Sequence, residues 1–281
     1  MEVLAEAEWR ERAAAHRQRV RRFTGPHRER KQRGEAHPVL DFLFTYYSHR
    51  PARLEEWHPG PGVVLLGGAE YLVRPGYVAD GGGVRLDPTR LPRLAPTARF
   101  VRTLLTATAA RPPRLSCFGL HEWAMVYRSP TPRHAAVPLR LGAAGTDAVV
   151  EALPVHCTHH DAFRFFTPAA RPRNAVAPAR ADQVEHEQPG CLHATMDLYK
   201  WAYKLSPATP ADLVAECFEL AADVRELDMR ASPYDLAALG YPPVPIETAA
   251  GRAAYARAQA AFARRAAPLR ERLVDVCSAL L

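Results

Sequence analysis

Proline sets the length of the helical segments in this chain. Its ring removes a backbone N–H, clashes with the carbonyl four residues back, and pushes the preceding residue out of the α region. The broad apolar pattern VLDFLFTYYSH, opened by His37 and Pro38, ends near Arg50 and Pro51. A second pattern over residues 97–110 stops before Pro112 and Pro113, and the short LHEWAMVYR stops before Pro130. Thr209 and Pro210 supply an N-cap and a first-turn proline for a helix running to about Ala231, short of Pro233. A C-terminal helical region from Thr248 is broken at Pro268. A charged helical stretch over residues 2–33 and a helix over residues 191–205 bring the count to six or more, with little strand. The expected fold class is mainly α, a single compact multi-helix domain with a small irregular or β insert.

The insert covers residues 57–96, where apolar runs at 63–66, 71–73 and 84–86 are separated by Gly67 and Gly68, Pro75 and Gly76, and Gly81 to Gly83. Residues 1–35 read as a basic helical N-terminal arm. Residues 36–281 read as the helical domain, carrying the insert and a long loop over residues 154–190.

A chain of 281 residues, 48% hydrophobic and 24% charged, can bury a substantial core. No run of 18 apolar residues exists, and the charged start MEVLAEAEWRERAAAHRQRVRR has no apolar signal core. A cytoplasmic protein without a membrane partner is expected, nucleoid-associated if it acts in DNA repair. Cys117, Cys157, Cys191, Cys217 and Cys277 are odd in number and widely spread, which fits reduced thiols better than a disulfide framework. The net charge of +7 and pI of about 9.4 carry the first mark of a nucleic-acid binder. Arginine outnumbers lysine 34 to 3, however, as in a GC-rich genome, so a generically basic surface explains the charge equally well.

Residues 154–205 are the densest in reactive side chains. They read PVHCTHHDAFRFFTP, then a Pro/Arg/Ala-rich run, then EQPGCLHATMDLYKWAYKL. They hold five of the 12 histidines and two of the three lysines. A structureless loop of more than about 15 residues inside a compact domain is functional or disordered. This one is too rich in His and Phe for a linker, and it reads as the wall of an active site.

On the helix over residues 191–205, a polar stripe of His193, Asp197, Lys200 and Lys204 runs between two apolar flanks. Facing a cleft, Lys200 beside another cation is a usable amine nucleophile and Asp197 orients water. Facing solvent, the stripe is ordinary i,i+4 pairing. On the helix over residues 211–231, Leu213, Cys217, Leu220, Val224 and Leu227 form the core face, opposite a solvated row of Glu216, Glu219, Asp223, Glu226 and Arg230. Asp228 projects within about 40° of the apolar centre. A buried carboxylate needs a partner or its pKa rises. Arg225, Arg230 or Arg252 can serve, and a structural ion pair is favoured over an acid/base role.

His156, Cys157, His159, His160 and Asp161, with Glu187, Cys191 and His193, make a set of soft and borderline metal ligands. Their spacing matches no zinc finger, and His121–Glu122 lacks the second histidine of H-E-x-x-H. Phe163, Phe165 and Phe166 suit stacking on an unpaired base, or core packing under the loop. No Gly-rich phosphate loop, G-x-S-x-G or dinucleotide fingerprint is present.

Four segments taken together resemble a known family: HPVLDFLFTYYSHRPARLEEWHPG, CFGLHEWAMVYR, HCTHHDAFRFFTP with EQPGCLHATMDLYKWAYKL, and LAADVRELDMRASPYDL. They are similar to the bacterial, mainly actinobacterial, family labelled 3-methyladenine DNA glycosylase, over nearly the whole chain. The resemblance implies a DNA-repair N-glycosylase that releases an alkylated purine from double-stranded DNA without a cofactor. It carries no catalytic residue over, since the Gly-rich hairpin of the helix-hairpin-helix glycosylases is not evident. For that chemistry, Phe163, Phe165 and Trp201 would stack the flipped base. Asp197 or Asp161 would activate water, with His159, His193 and Asp228 as further acid/base candidates. Arg164, Arg171 and Arg173 would hold phosphates, and Lys200 would alternatively attack the sugar. Two rival readings stand beside it. One is a metal-dependent enzyme (non-haem iron or zinc) acting on a small molecule, with His156, His159, Glu187 and His193 as ligands. The other is a non-catalytic nucleic-acid-binding protein in which the N-terminal arm matters.

Overall fold

The structure, a computed structural model, describes residues 1–131, 134 and 136–281. The chain opens with strand β1 (Glu2–Leu4), then α1 (Glu6–Gln32), α2 (Phe42–Tyr46) and α3 (Pro51–Leu54). Strands β2 (Val63–Leu66), β3 (Tyr77–Asp80) and β4 (Gly83–Leu86) follow. The rest is helical: α4 (Ala95–Ala109), α5 (Leu120–Ala124), α6 (Gly142–Ala152), α7 (His160–Phe163), α8 (Gln183–His186), α9 (Leu192–Lys204), α10 (Ala211–Arg230) and α11 (Ala249–Ala279). The fold is mainly α with one small sheet. Among the described residues no helix is long and apolar enough to cross a membrane.

Two expectations from proline need correction. Pro268 lies inside α11 and does not break it, as Pro26 lies inside α1. A proline removes one helical hydrogen bond locally, and Leu269, Leu273 and Cys277 beyond it are buried, which holds the continuing turns. Thr209 precedes α10 as expected, but its hydroxyl is buried without a hydrogen bond. The first turn closes instead on the Pro210 carbonyl, which accepts from the Leu213 and Val214 amides.

Contacts gather the chain into two compact units. The first comprises Met1–Thr103, Leu198–Glu219 and Leu269–Leu281. Its sheet has the order β1-β2-β4-β3. The β3–β4 hairpin turns on Gly81 and Gly82, both at positive φ, as a two-residue hairpin loop requires. The insert is therefore a sheet, and its fourth strand is β1, paired in parallel with β2 (Val3 opposite Val64). The start of the chain reads locally as helix, and its pairing with residues some 60 positions away leaves no local pattern. Leu4, Trp9, Trp57, Leu65, Tyr71, Tyr77 and Leu86 form the core on this sheet. Residues 1–35 are docked along one side: Trp9, His16, Val20, Thr24 and His27 of α1 are buried. Arg10 pairs with Glu70, Arg19 and Arg22 with Glu219, and Arg30 with Asp41. The row Glu216 to Arg230 expected to be solvated is largely ion-paired, for example Glu216 with Arg272 at 2.6 Å.

The second unit comprises Leu104–Asp197 and Leu220–Pro268. The long loop over residues 154–190 is ordered by Asn174. Its side chain accepts from the Cys157 amide at 2.7 Å and donates to the Cys157 and Val176 carbonyls at 2.8 and 2.6 Å. That clasp, with short helices α7 and α8, fixes His159 and Glu187 at either end. Trp123, fully buried, donates its indole N–H to the Ala231 carbonyl at 2.8 Å.

Candidate metal centre

The polar residues of the second unit gather in its interior. All five residues of α5 are buried, including His121 and Glu122. The chain enters α5 through Phe118 and Gly119, both at positive φ. A Cβ on Gly119 would stand 3.3 Å from both Ala231 and Tyr255, so glycine is required for the close approach as well as for the turn. On α10, Asp228 is fully buried and its Oδ1 lies 2.8 Å from His121 Nε2. Its Oδ2 lies 3.3 Å from Arg225 Nη1, which also donates to Glu122 Oε1 at 2.8 Å. The expected structural ion pair of Asp228 with Arg225 is thus present, and it extends to Glu122 and His121.

Beside this group, His159 Nε2 lies 3.3 Å from both Glu187 Oε1 and Asp197 Oδ2. Gln183 donates to Glu187 Oε1, and Arg111 donates to the Glu187 carbonyl at 2.8 Å. His193 stands between the groups, its ring 4.6 Å from that of His121 and 5.3 Å from that of His159. Two triads result: His121, His193 and Asp228, and His159, Glu187 and Asp197. In each, the potential ligand atoms lie within 4.8 Å of one another. None of the six residues is more than 6% exposed.

The donor set fits a metal in three respects. First, neighbouring ligands around a tetrahedral zinc at about 2.0–2.1 Å stand about 3.3–3.4 Å apart. Around a small octahedral ion they stand about 2.8–3.0 Å apart. The His159 contacts match the first spacing and the His121–Asp228 contact the second. Second, His121 Nε2, Asp228 Oδ1 and both ring nitrogens of His159 are buried without a hydrogen bond of good geometry. Third, Glu122, Glu187, Asp197 and Asp228 are all buried, and Arg225 donates to Glu122 and Asp228.

Without a cation the negative excess falls on the histidines. Burial works against charge on His159, but Asp197 and Glu187 outweigh it and hold the ring at about 9. His121 is likewise buried and raised by the Asp228 charge. Burial, then the His121 charge, pushes His193 down. Asp228 is buried, yet His121 holds its carboxyl well below the usual range. A narrow cleft reaches His121 and His193 past Cys117, Cys157, Cys191 and Tyr255. Its free volume of about 10 Å³ has room for roughly one water or ion. Burial pushes the Cys157 and Cys191 thiols up, so both stay protonated at neutral pH.

Of the residues singled out from sequence, His159, Glu187, His193, Asp197 and Asp228 come together. His156 is exposed and only borders the cleft. Asp161 is half-buried at the start of α7 and pairs with Arg164 at 3.4 Å. Lys200 belongs to the first unit, where its ammonium lies 4.5 Å from the centre of the Trp201 ring, itself packed on Phe100. Phe163 packs on Phe166, and Phe165 lies under the Arg164 guanidinium. Arg171 and Arg173 donate to backbone carbonyls, Arg164 for the former and Val150 and Glu151 for the latter. His121, Glu122 and Arg225 complete the site. His121 has no second histidine at H-E-x-x-H spacing, and its signal in the sequence is its partner Asp228, a carboxylate on an apolar face. Comparison with protein-family models, with curated proteins and with solved structures finds no match to this chain.

Proposed function

We propose that this chain is a metal-dependent enzyme whose reaction centre is the buried histidine–carboxylate cluster of the second unit. The observation that carries the reading is the pair of triads, each with ligand atoms within 4.8 Å of one another. Two histidines and one carboxylate form the donor set of non-haem iron centres with open positions, and zinc accepts the same donors. A bound ion would supply Lewis-acid activation of water or a redox centre. The chain's own part is to keep the ligands dry and oriented. Cys117 Sγ lies 3.4 Å from His121 Nδ1 and holds the ring from its outer side. Arg225 balances Glu122 and leaves Asp228 directed at His121. The cleft, whose free volume of about 10 Å³ holds roughly one water or ion, has no room for a flipped purine as it stands.

The second reading is release of an alkylated purine from double-stranded DNA. One observation favours it: three of the four segments that resemble the glycosylase family carry the members of this cluster, His121, His159, Glu187, His193, Asp197 and Asp228. Asp197 or Asp228 would then activate water against the sugar, with no metal involved. Metal analysis of purified protein, run beside 3-methyladenine release from methylated duplex DNA with and without chelator, separates the two. The metal reading expects tightly held iron or zinc that is lost in folded His193→Ala and Asp228→Asn variants, and no base release. Metal-free, folded protein that releases base regardless of chelator overturns it in favour of the glycosylase.

A further inference from the structure

Among the described residues the six donors of the cluster form two groups: ligand atoms approach within 4.8 Å inside each triad, and no group spans both. Opposite ligands on one small ion stand only about 4.2 Å apart, so a single ion does not take all six. His193 and Asp197 sit one turn apart on α9, about 6 Å along its axis. The His193 ring lies against both sides, 4.6 Å from that of His121 and 5.3 Å from that of His159. The triads are neighbouring positions, each with its own donors.

Their surroundings differ. His121 and His193 line the narrow cleft, and His193 is 6% exposed. His159, Glu187 and Asp197 line no part of that cleft, and each is 1% exposed. The donors differ as well. The first triad offers two imidazoles and one carboxylate, with His121 Nε2 and Asp228 Oδ1 at the octahedral spacing that leaves positions for water. The second offers one imidazole and two carboxylates, with His159 Nε2 at the tetrahedral spacing from each. Neither ring nitrogen of His159 makes a hydrogen bond of good geometry. Nε2 thus points at two carboxylates without the bond that would satisfy it in a dry interior. Gln183 steadies Glu187 from outside by donating to its Oε1.

We propose that the second triad is a metal site of its own, closed and structural, while the first keeps the open position that chemistry needs. This rests on the metal reading of the cluster. The residues it would tie together explain its use: His159 and Glu187 stand at the two ends of the long irregular segment, and Asp197 stands on α9. An ion held by all three staples that segment to the helix, where Asn174 alone otherwise clasps its middle to Cys157.

The probe is Co(II), titrated into the metal-free full chain, with bound metal counted by atomic emission after gel filtration. The wild type should hold about two ions per chain and a folded Asp197→Asn variant about one. Trypsin gives a readout specific to the staple, because Arg164, Arg173 and Arg180 are exposed within the segment. Co(II) should slow cleavage there by at least about tenfold in the wild type and leave it fast in Asp197→Asn, which keeps the first ion. Should that variant fail to fold, the wild-type count and the Co(II) dependence of its cleavage still decide. A count of about one ion per chain overturns this inference and leaves the metal reading standing. No bound metal overturns both. Two ions with cleavage of the segment unchanged by Co(II) overturns the structural role.

Discussion

Replacing Arg225 by methionine tests whether the buried ionic network, and not only apolar packing, holds the second unit. The Arg225 side chain is 2% exposed and reaches Glu122 at 2.8 Å and Asp228 at 3.3 Å. Methionine fills similar volume but leaves Glu122 without this cation, and Asp228 with His121 alone. Removing one partner of a buried ion pair costs about 3–5 kcal/mol, because the remaining charge stays desolvated. With a urea m-value of about 3 kcal/mol per M, that lowers the unfolding midpoint by about 1–1.7 M. The assay is equilibrium urea unfolding in excess chelator, so that metal linkage does not contribute. Tryptophan fluorescence is a suitable reporter, since Trp123 adjoins Glu122 and bonds to Ala231 just past α10. The Glu122→Gln/Arg225→Met double variant should recover at least about 1 kcal/mol relative to the sum of the single changes. A loss below about 1 kcal/mol in Arg225→Met, or full additivity in the double variant, would refute the reasoning.

Two other outcomes follow from the same geometry. His49 and His58, held at about 4 and about 3 in the folded protein, take up protons first in the unfolded chain near its ordinary value of about 6.5. Lowered folded values mean that stability is intact above about pH 6.5 and falls below it, down towards the folded values, by about 1.4 kcal/mol per pH unit for each ring. Thermal melts between pH 7 and 4.5 should show this drop, and a folded His49→Gln/His58→Gln variant should flatten it; parallel curves would exclude the assignment. Gly251→Ala places a Cβ 1.9 Å from the Pro245 carbonyl oxygen in the first turn of α11, where the Gly251 amide is capped by Thr248 Oγ1 at 3.0 Å. The main chain must shift, at a cost of about 1–3 kcal/mol; an unchanged melting temperature would show that the turn yields freely.

Much of the candidate site was legible, but in pieces. His159, Glu187 and His193 stand out as ligands because histidines and carboxylates crowd one irregular loop and the first turn of the helix that follows it. Asp228 stands out because it interrupts an apolar face, and its partner Arg225 follows from i,i+3 spacing. The stripe His193, Asp197, Lys200 and Lys204 shows what periodicity misses. The four residues share a face, yet His193 and Asp197 are buried while Lys204 is exposed. Periodicity gives direction around a helix axis, and depth depends on which elements cover each turn. His121 carries no signal of its own in the sequence, because its partner Asp228 is more than 100 positions away.

The sequence by itself determined where most helices lie, through proline and the i,i+3/i+4 apolar rows, and which face of α10 is core. Those properties are local, governed by backbone sterics and by burial of one stripe at a time. Only the tertiary structure decided that the N-terminus supplies a strand and that α1 is docked. It alone joined His121 to Asp228 and Glu122 to Arg225. The last two are polar contacts at 2.8 Å between residues more than 100 positions apart in the chain. The free energy of a buried charge or lone pair depends on what stands within that distance, and a linear pattern does not contain it.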